Sequence, residues 1–275
     1  MSDQNERGSE EEEFFRLTED GILEKCDLEL PRGYLSSSQV NRYLKCGMQY
    51  KFRYIDGIIR PPGIAMAAGS SVHRALEIAL KEKMKTSSVP LSLIEDAWWE
   101  SWRVIKKDIE DWEEDENTVE GQLRKLVKVY HSTKLPEILP LEVEKRFWIS
   151  VGKSNVPVVG YIDLIDQPEN KTIVDHKVVG RSKQQREADS SLQLTLYSKA
   201  MQIPKVRFDC LVRGTKTPTV KTLSSQRTQA DLDWLEHLFD KVAEAINKGI
   251  FMPCDPSSFA CSPKYCGYYE LCKGR

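Results

Sequence analysis

The stretch GYIDLIDQPENKTIVDHKVVG, residues 160–180, decides the reading of the whole chain. Apolar residues alternate on either side of the polar segment QPENK, which predicts two strands joined by a hairpin. Each strand nevertheless carries charge where burial is expected: Asp163 in the first, Asp175 and Lys177 in the second. Residues two apart in a strand project to the same face, so Asp175 and Lys177 point together while Val174, His176 and Val178 point away. The hairpin brings Asp163 alongside them, and two carboxylates converge with an ammonium. A carboxylate pair buried without compensation is costly or takes up a proton. Magnesium or manganese supplies the missing charge and prefers oxygen ligands, and the lysine is then free to orient a water or stabilise a phosphate in its transition state. A salt bridge on a solvent-facing edge strand meets the same D-x11-D-x-K spacing, which alone does not choose between the two.

Outward from this hairpin, the period of two extends over 141–151, 156–166, 171–179, 206–214 and 219–226, with a helix at 188–202 between the third and fourth strands. Three meandering strands followed by a crossover helix imply an α/β fold, a mixed sheet with helices packed on it. Upstream the period is helical. Serines suited to N-capping precede Val40, Tyr43 and Leu44, and helices follow over 63–85, 90–112 and 122–135, the last broken at Pro136. Small residues in the first of these predict a tight crossing against a neighbour. A final amphipathic helix over 230–249 stops at Gly249. The layout divides into an acidic, disordered head at 1–30, a helical part at 31–140 with Cys46 and His73, a core at 141–250 and a cysteine tail at 251–275, forming one continuous domain.

The 275 residues are 40% apolar, enough for a proper core. No run of eighteen apolar residues occurs and the head is acidic where a secretory signal is basic, so an intracellular, cytoplasmic protein without a membrane partner is expected. The net charge of -2 hides an asymmetry: eight acids and no base fall within 108–120, while 171–228 holds twelve Lys or Arg against four Asp or Glu. That basic surplus suits a polyanion as well as an ordinary solvated surface. Four of the seven cysteines, Cys254, Cys261, Cys266 and Cys272, lie within nineteen residues, which argues for metal more than for bridges. Gly152-Lys153-Ser154 imitates the end of a phosphate loop, but Phe147 stands where that loop needs glycine.

Three further features accompany the acidic hairpin. Gln193 and Tyr197 lie four apart on one helix face directly after the strand of Asp175 and Lys177. His73 follows Gly69 in G-x-x-x-H, although a satisfied core histidine is the commoner fate. Glu144 sits on the adjacent strand, where an exposed glutamate is ordinary.

Taken in order, G-x-x-x-H (Gly69, His73), G-Y-I-D (Gly160 to Asp163), D-H-K (Asp175 to Lys177) and Q-x-x-x-Y (Gln193, Tyr197) resemble the RecB-type nucleases of the PD-(D/E)xK superfamily, from about residue 34 to the C-terminus. The resemblance implies a restriction-endonuclease-like core and metal-dependent hydrolysis of DNA. By it, His73, Asp163, Asp175 and the backbone carbonyl of His176 are metal ligands, with Glu144 a further candidate. Lys177 is the catalytic lysine, and Gln193 and Tyr197 support the site or contact DNA. The second acid is Asp where Glu is commoner. The chain also resembles the iron-sulfur subgroup that includes AddB and CRISPR-associated nucleases, which implies a 4Fe-4S cluster on Cys46, Cys261, Cys266 and Cys272. The x4 spacing of Cys261 and Cys266 leaves Cys254 as a substitute ligand, and spacing alone allows a structural zinc instead. The function so implied is a Mg- or Mn-dependent exonuclease on single-stranded or processed DNA ends. It would work in recombination, repair or spacer processing, in a bacterial or phage-encoded setting. A non-catalytic DNA-binding scaffold subunit of a recombination or CRISPR-adaptation complex is the alternative, and the acidic stretch at 108–120 is a candidate partner contact.

Overall fold

The computed structural model describes residues 26–86, 88–214 and 217–273, so most of the acidic head lies outside the described residues. A five-stranded sheet runs in the order β1 (Pro140–Val151), β2 (Val156–Asp166), β3 (Thr172–Val179), β4 (Lys205–Val212), β5 (Thr219–Gln226). β2 pairs antiparallel with β3, β3 parallel with β4, and β4 antiparallel with β5. The parallel step needs a crossover, as the sequence predicts. That connection is two helices instead of one, α6 (Gln185–Asp189) and α7 (Leu192–Met201). The expected helix over 188–202 breaks because Ser191 is a better cap than a helical residue: its hydroxyl accepts the N–H of Leu194.

The contacts divide the chain into two compact units, residues 61–146 with 161–228, and residues 1–60 with 147–160 and 229–275. This division cuts across the expected blocks at 31–140 and 141–250, since long-range packing and not sequence order decides which segments belong together.

In the unit of 61–146 and 161–228, α3 (Ile64–Lys83), α4 (Leu91–Ile105) and α5 (Glu116–Val129) supply most of the core. The small residues of α3 do make a close crossing: Ala67, Ala68, Ala75 and Ala79 are buried in the cluster with Trp98 and Trp102 of α4. Helix α5 begins six residues before the expected start at 122, because the acidic stretch caps it. Asp115 accepts the N–H of Thr118 at 2.8 Å, and Glu116 follows in the first turn. Other acids of the same stretch are paired internally, Glu114 with Arg213 at 2.6 Å and Glu116 with Lys106 at 2.8 Å. Asp166, another acid of the opening hairpin, is fully satisfied: it accepts the N–H groups of Leu139 and Gln167 and pairs with Arg207 at 2.9 Å.

In the other unit, α1 (Ser37–Lys45) is capped by Ser36, whose hydroxyl accepts the N–H of Gln39, as the serine run predicts. Cys46 forms the junction to α2 (Gly47–Tyr50), which continues as a π-helical turn over Lys51–Ile55. Helix α8 (Gln229–Asn247) and the short α9 (Tyr269–Lys273) complete it. The Gly152-Lys153-Ser154 turn binds an anion of the protein's own, since Asp240 of α8 accepts the N–H groups of Lys153 and Ser154 at 2.9 and 3.0 Å. Among the described residues no helix is long and apolar enough to cross a membrane. Asp240→Ala leaves two turn amides without partners, and chemical denaturation should register a loss of about 1–3 kcal/mol.

Candidate active site

The hydrogen-bonded register of β2 and β3 covers Leu164 with Val174, Ile165 with Ile173 and Asp166 with Thr172. One residue further, a side chain replaces the backbone partner: the N–H of His176 donates to Asp163 Oδ2 at 2.7 Å. The same oxygen lies 3.4 Å from His73 Nδ1 of α3 and 3.5 Å from His176 Nδ1. The His176 ring faces the interior, where Tyr130 Oη meets its Nε2 at 3.0 Å. Asp175 is buried, and Lys177 Nζ stands 2.7 Å from its Oδ2 as an ion pair. Beyond that ion pair, Asp175 Oδ2 accepts no hydrogen bond among the described residues. The lysine also donates to Gln193 Oε1 at 2.8 Å, and Gln193 Nε2 donates to Tyr197 Oη at 2.6 Å. The two α7 residues therefore hold the lysine in place, and the Phe208 ring lies 5.6 Å from its ammonium.

These charges move one another in opposite directions. Burial alone would raise Asp163, but the neighbouring His73 and His176 outweigh it and hold this carboxyl well below the usual carboxylate range. Burial raises Asp175, assisted by Asp163 and opposed by Lys177. His73 is pushed up to about 9, since Asp163 overrides the burial that would lower it. One carboxylate is thus firmly ionised and the other drawn toward its protonated form, as expected of coupled acids sharing a site.

A cleft of about 520 Å³ opens beside them, lined by Gly69, His73, Arg74 and Glu77 of α3 with Glu144 and Asp163. Glu144 adopts a left-handed backbone, φ 53°, in the middle of β1, and the alternation of buried and exposed residues is lost around it. It is partly buried in the cleft, not an ordinary exposed strand residue. Burial first, then Asp163 and Glu77, push its carboxyl up to about 7. Sequence reasoning overlooks Glu77, although it lies four residues after His73 and so on the same helix face. Arg74 and Lys81 pair with Glu77 at 2.7 and 2.6 Å.

The structure thus brings His73, Glu144 and Asp163 to one cleft, and joins Asp175, Lys177, Gln193 and Tyr197 in one chain of contacts. In the unit of 1–60, 147–160 and 229–275, Cys46, Cys254, Cys261, Cys266 and Cys272 all line a cavity of about 290 Å³. Cys46 Sγ accepts the N–H of Cys254 and Cys266 Sγ accepts from Gln49 Nε2, both at 3.4 Å. Burial and contact with Cys46 and Cys261 raise the Cys254 thiol to about 11. Cys26 and Cys210 are free thiols that do not line this cavity. Among the described residues, no three His, Cys, Asp or Glu side chains are arranged to hold a metal ion. An oxygen-rich donor set with a buried carboxylate paired to a lysine nevertheless fits a hard divalent cation in chemistry.

Because Glu144 is raised above its ordinary 4.5, its stability contribution is complete below pH 4.5 and is lost as pH rises through about 7. In metal-free protein, Glu144→Gln should gain on wild type across that window by an amount on the order of 1–2 kcal/mol and hold the gain above it. Denaturation at pH 5 and pH 8 checks this.

The comparisons agree with the geometry. The family model described as the PD-(D/E)XK nuclease superfamily matches residues 34–273. A solved structure described as "Putative exonuclease" from Eubacterium rectale superposes with a TM-score of 0.54 at 13% identity, covering 88% of this chain and 94% of that one. The structure of SSO0001 is also 13% identical, covering 83% of this chain and 94% of its own, with a TM-score of 0.33. No curated protein matches significantly. The five-stranded mixed sheet, its flanking helices and a family match over most of the sequence make this chain a member of the PD-(D/E)XK nuclease superfamily.

Proposed function

We propose that this nuclease hydrolyses phosphodiester bonds of DNA with magnesium or manganese, as an exonuclease on single-stranded or processed ends. The observation that carries the reading is the buried carboxylate of Asp175, beside Asp163 and with Lys177 Nζ 2.7 Å from its Oδ2. Asp166, three residues further along β2, differs: two backbone N–H groups donate to one of its oxygens and Arg207 pairs with the other.

In this reading Asp163, Asp175, His73 and the carbonyl of His176 hold the cation, with Glu144 as a further oxygen donor. When bound, the ion lowers the pKa of a coordinated water and offsets charge on the phosphate. Gln193 and Tyr197 fix the Lys177 ammonium, which orients the attacking water and stabilises the phosphorane oxygens. The water oxygen bonds to phosphorus as the bond from phosphorus to the sugar oxygen breaks; the water gives one proton to bulk solvent, and the departing sugar oxygen takes one from solvent to leave as an alcohol. The basic surplus of 171–228 supports a polyanionic substrate. An intracellular role in recombination, repair or spacer processing, within a larger protein complex, belongs to the same reading.

For the cysteines the reading is a structural 4Fe-4S cluster. Five thiols face one cavity, and N–H donors already point at Cys46 and Cys266. Cys254, in contact with both Cys46 and Cys261, competes for a ligand place with the set Cys46, Cys261, Cys266 and Cys272. Structural zinc would use the same sulfurs.

End-labelled linear DNA should be degraded with magnesium or manganese, with closed circles spared, and Asp175→Ala and Lys177→Ala should each lower the rate at least about a hundredfold. Equal rates in the variants would remove these residues from the chemistry, and wild-type protein that binds DNA without cutting it would favour the scaffold reading. Anaerobically purified protein should contain iron and acid-labile sulfide. Colourless protein holding one zinc would exclude the cluster.

A further inference from the structure

We infer that Gly69 is the crossing point of the bound DNA strand over α3: its missing side chain leaves room for the sugar-phosphate backbone beside His73. The inference deepens the nuclease reading above and rests on it.

A glycine inside a helix costs stability, because it adds backbone freedom to the unfolded chain and packs nothing. The glycines of this structure differ in what an added side chain would meet. Some are dictated by packing. A Cβ on Gly160 would come within 2.5 Å of the Phe147 ring, and one on Gly47 within 2.7 Å of the Met252 backbone. Gly69 is different. It has no positive φ, and a Cβ there would meet no atom within 4 Å. Neither the turn of the backbone nor the close packing of α3 on α4 requires it, since that packing uses Ala67, Ala68, Ala75 and Ala79 on another face.

What Gly69 does face is the cleft. It lies four residues before His73, so the two share one side of α3, and both line the 520 Å³ space with Asp163, Glu144 and Arg74. The open volume over Gly69 is therefore continuous with the donors that the reading assigns to the cation. A phosphate brought to that cation must carry its flanking sugars past the helix surface one turn away. A methyl group at residue 69 would stand in that path, and a larger side chain would close it. Arg74, more than half exposed and on the same helix, is placed to meet a neighbouring phosphate.

The inference separates clearance from structure because the two roles predict opposite signs of stability. Gly121, an exposed glycine of α5 that also has no atom within 4 Å of an added Cβ, provides the control outside the cleft. Thermal melts and steady-state cleavage of an end-labelled single-stranded oligonucleotide with manganese should be compared for wild type, Gly69→Ala, Gly69→Leu and Gly121→Ala. Both alanine variants should melt about 2–4 °C above wild type. Only the Gly69 variants should lose kcat/KM, by about tenfold or more for alanine and further for leucine. Undiminished kcat/KM in both Gly69 variants would overturn the inference while leaving the nuclease reading intact. So would a Gly69→Ala variant that melts below wild type, since its glycine would then be structural. Wild-type protein that cuts no DNA would overturn the nuclease reading, and this inference with it.

Discussion

The site depends on one hydrogen bond, from the N–H of His176 to the carboxylate of Asp163. Two antiparallel strands ordinarily exchange backbone bonds along their whole length, and β2 and β3 do so from Asp166 to Leu164. Asp163 ends that exchange by offering its side chain where a carbonyl would stand. The replacement anchors the carboxylate to the sheet, so its position is set by backbone and not by a flexible partner. It also leaves the carboxylate of Asp175 to be satisfied by something other than the ladder, and Lys177 stands 2.7 Å from its Oδ2.

Four titratable groups then share too little counter-charge. Asp163 is held ionised, Asp175 and Glu144 are pushed toward their neutral forms, and His73 is drawn toward its protonated form. In the metal-free protein, protons supply the charge the site lacks. A divalent cation entering among these oxygens would expel them, because a ligating histidine must be neutral and a ligating carboxylate ionised. The strain of holding Glu144 left-handed belongs to the same balance: it brings a third carboxylate to a place already short of positive charge.

The period-two pattern made the sheet, its hairpin and its mixed topology legible, since alternation reports directly which face is buried. That Asp163, Asp175, Lys177, Gln193 and Tyr197 lie together was legible for the same reason: each occupies a position whose projection follows from strand or helix geometry alone. Glu144 was only half legible, because nothing in LEVEKRF announces a positive φ. Glu77 was within reach of the i, i+4 rule and was masked by its company of Arg74 and Lys81, which reads as an ordinary charged helix face. The helix caps at Asp115 and Ser191 shifted element boundaries in ways that depend on which competing polar residue wins the backbone amide. The division into units could not be read at all, since it is set by contacts between segments far apart in the chain.

That last point bears on the cysteines. The unit holding them is assembled from three separate stretches, 1–60, 147–160 and 229–275. Its first and last stretches meet through contacts of modest strength: Tyr43 Oη donates to the carbonyl of Ile250 at 2.6 Å, and the rings of Tyr50 and Phe251 stack with centroids 6.1 Å apart. Closing a chain segment of roughly two hundred residues costs several kcal/mol of entropy, and each such contact returns about 1 kcal/mol. A group held jointly by Cys46 and the tail sulfurs would bind only the closed form, so its binding free energy would add directly to the stability of this unit. The cavity that the five thiols share sits where such a clasp has the greatest leverage, where segments near residues 46–52 meet those of 253–273.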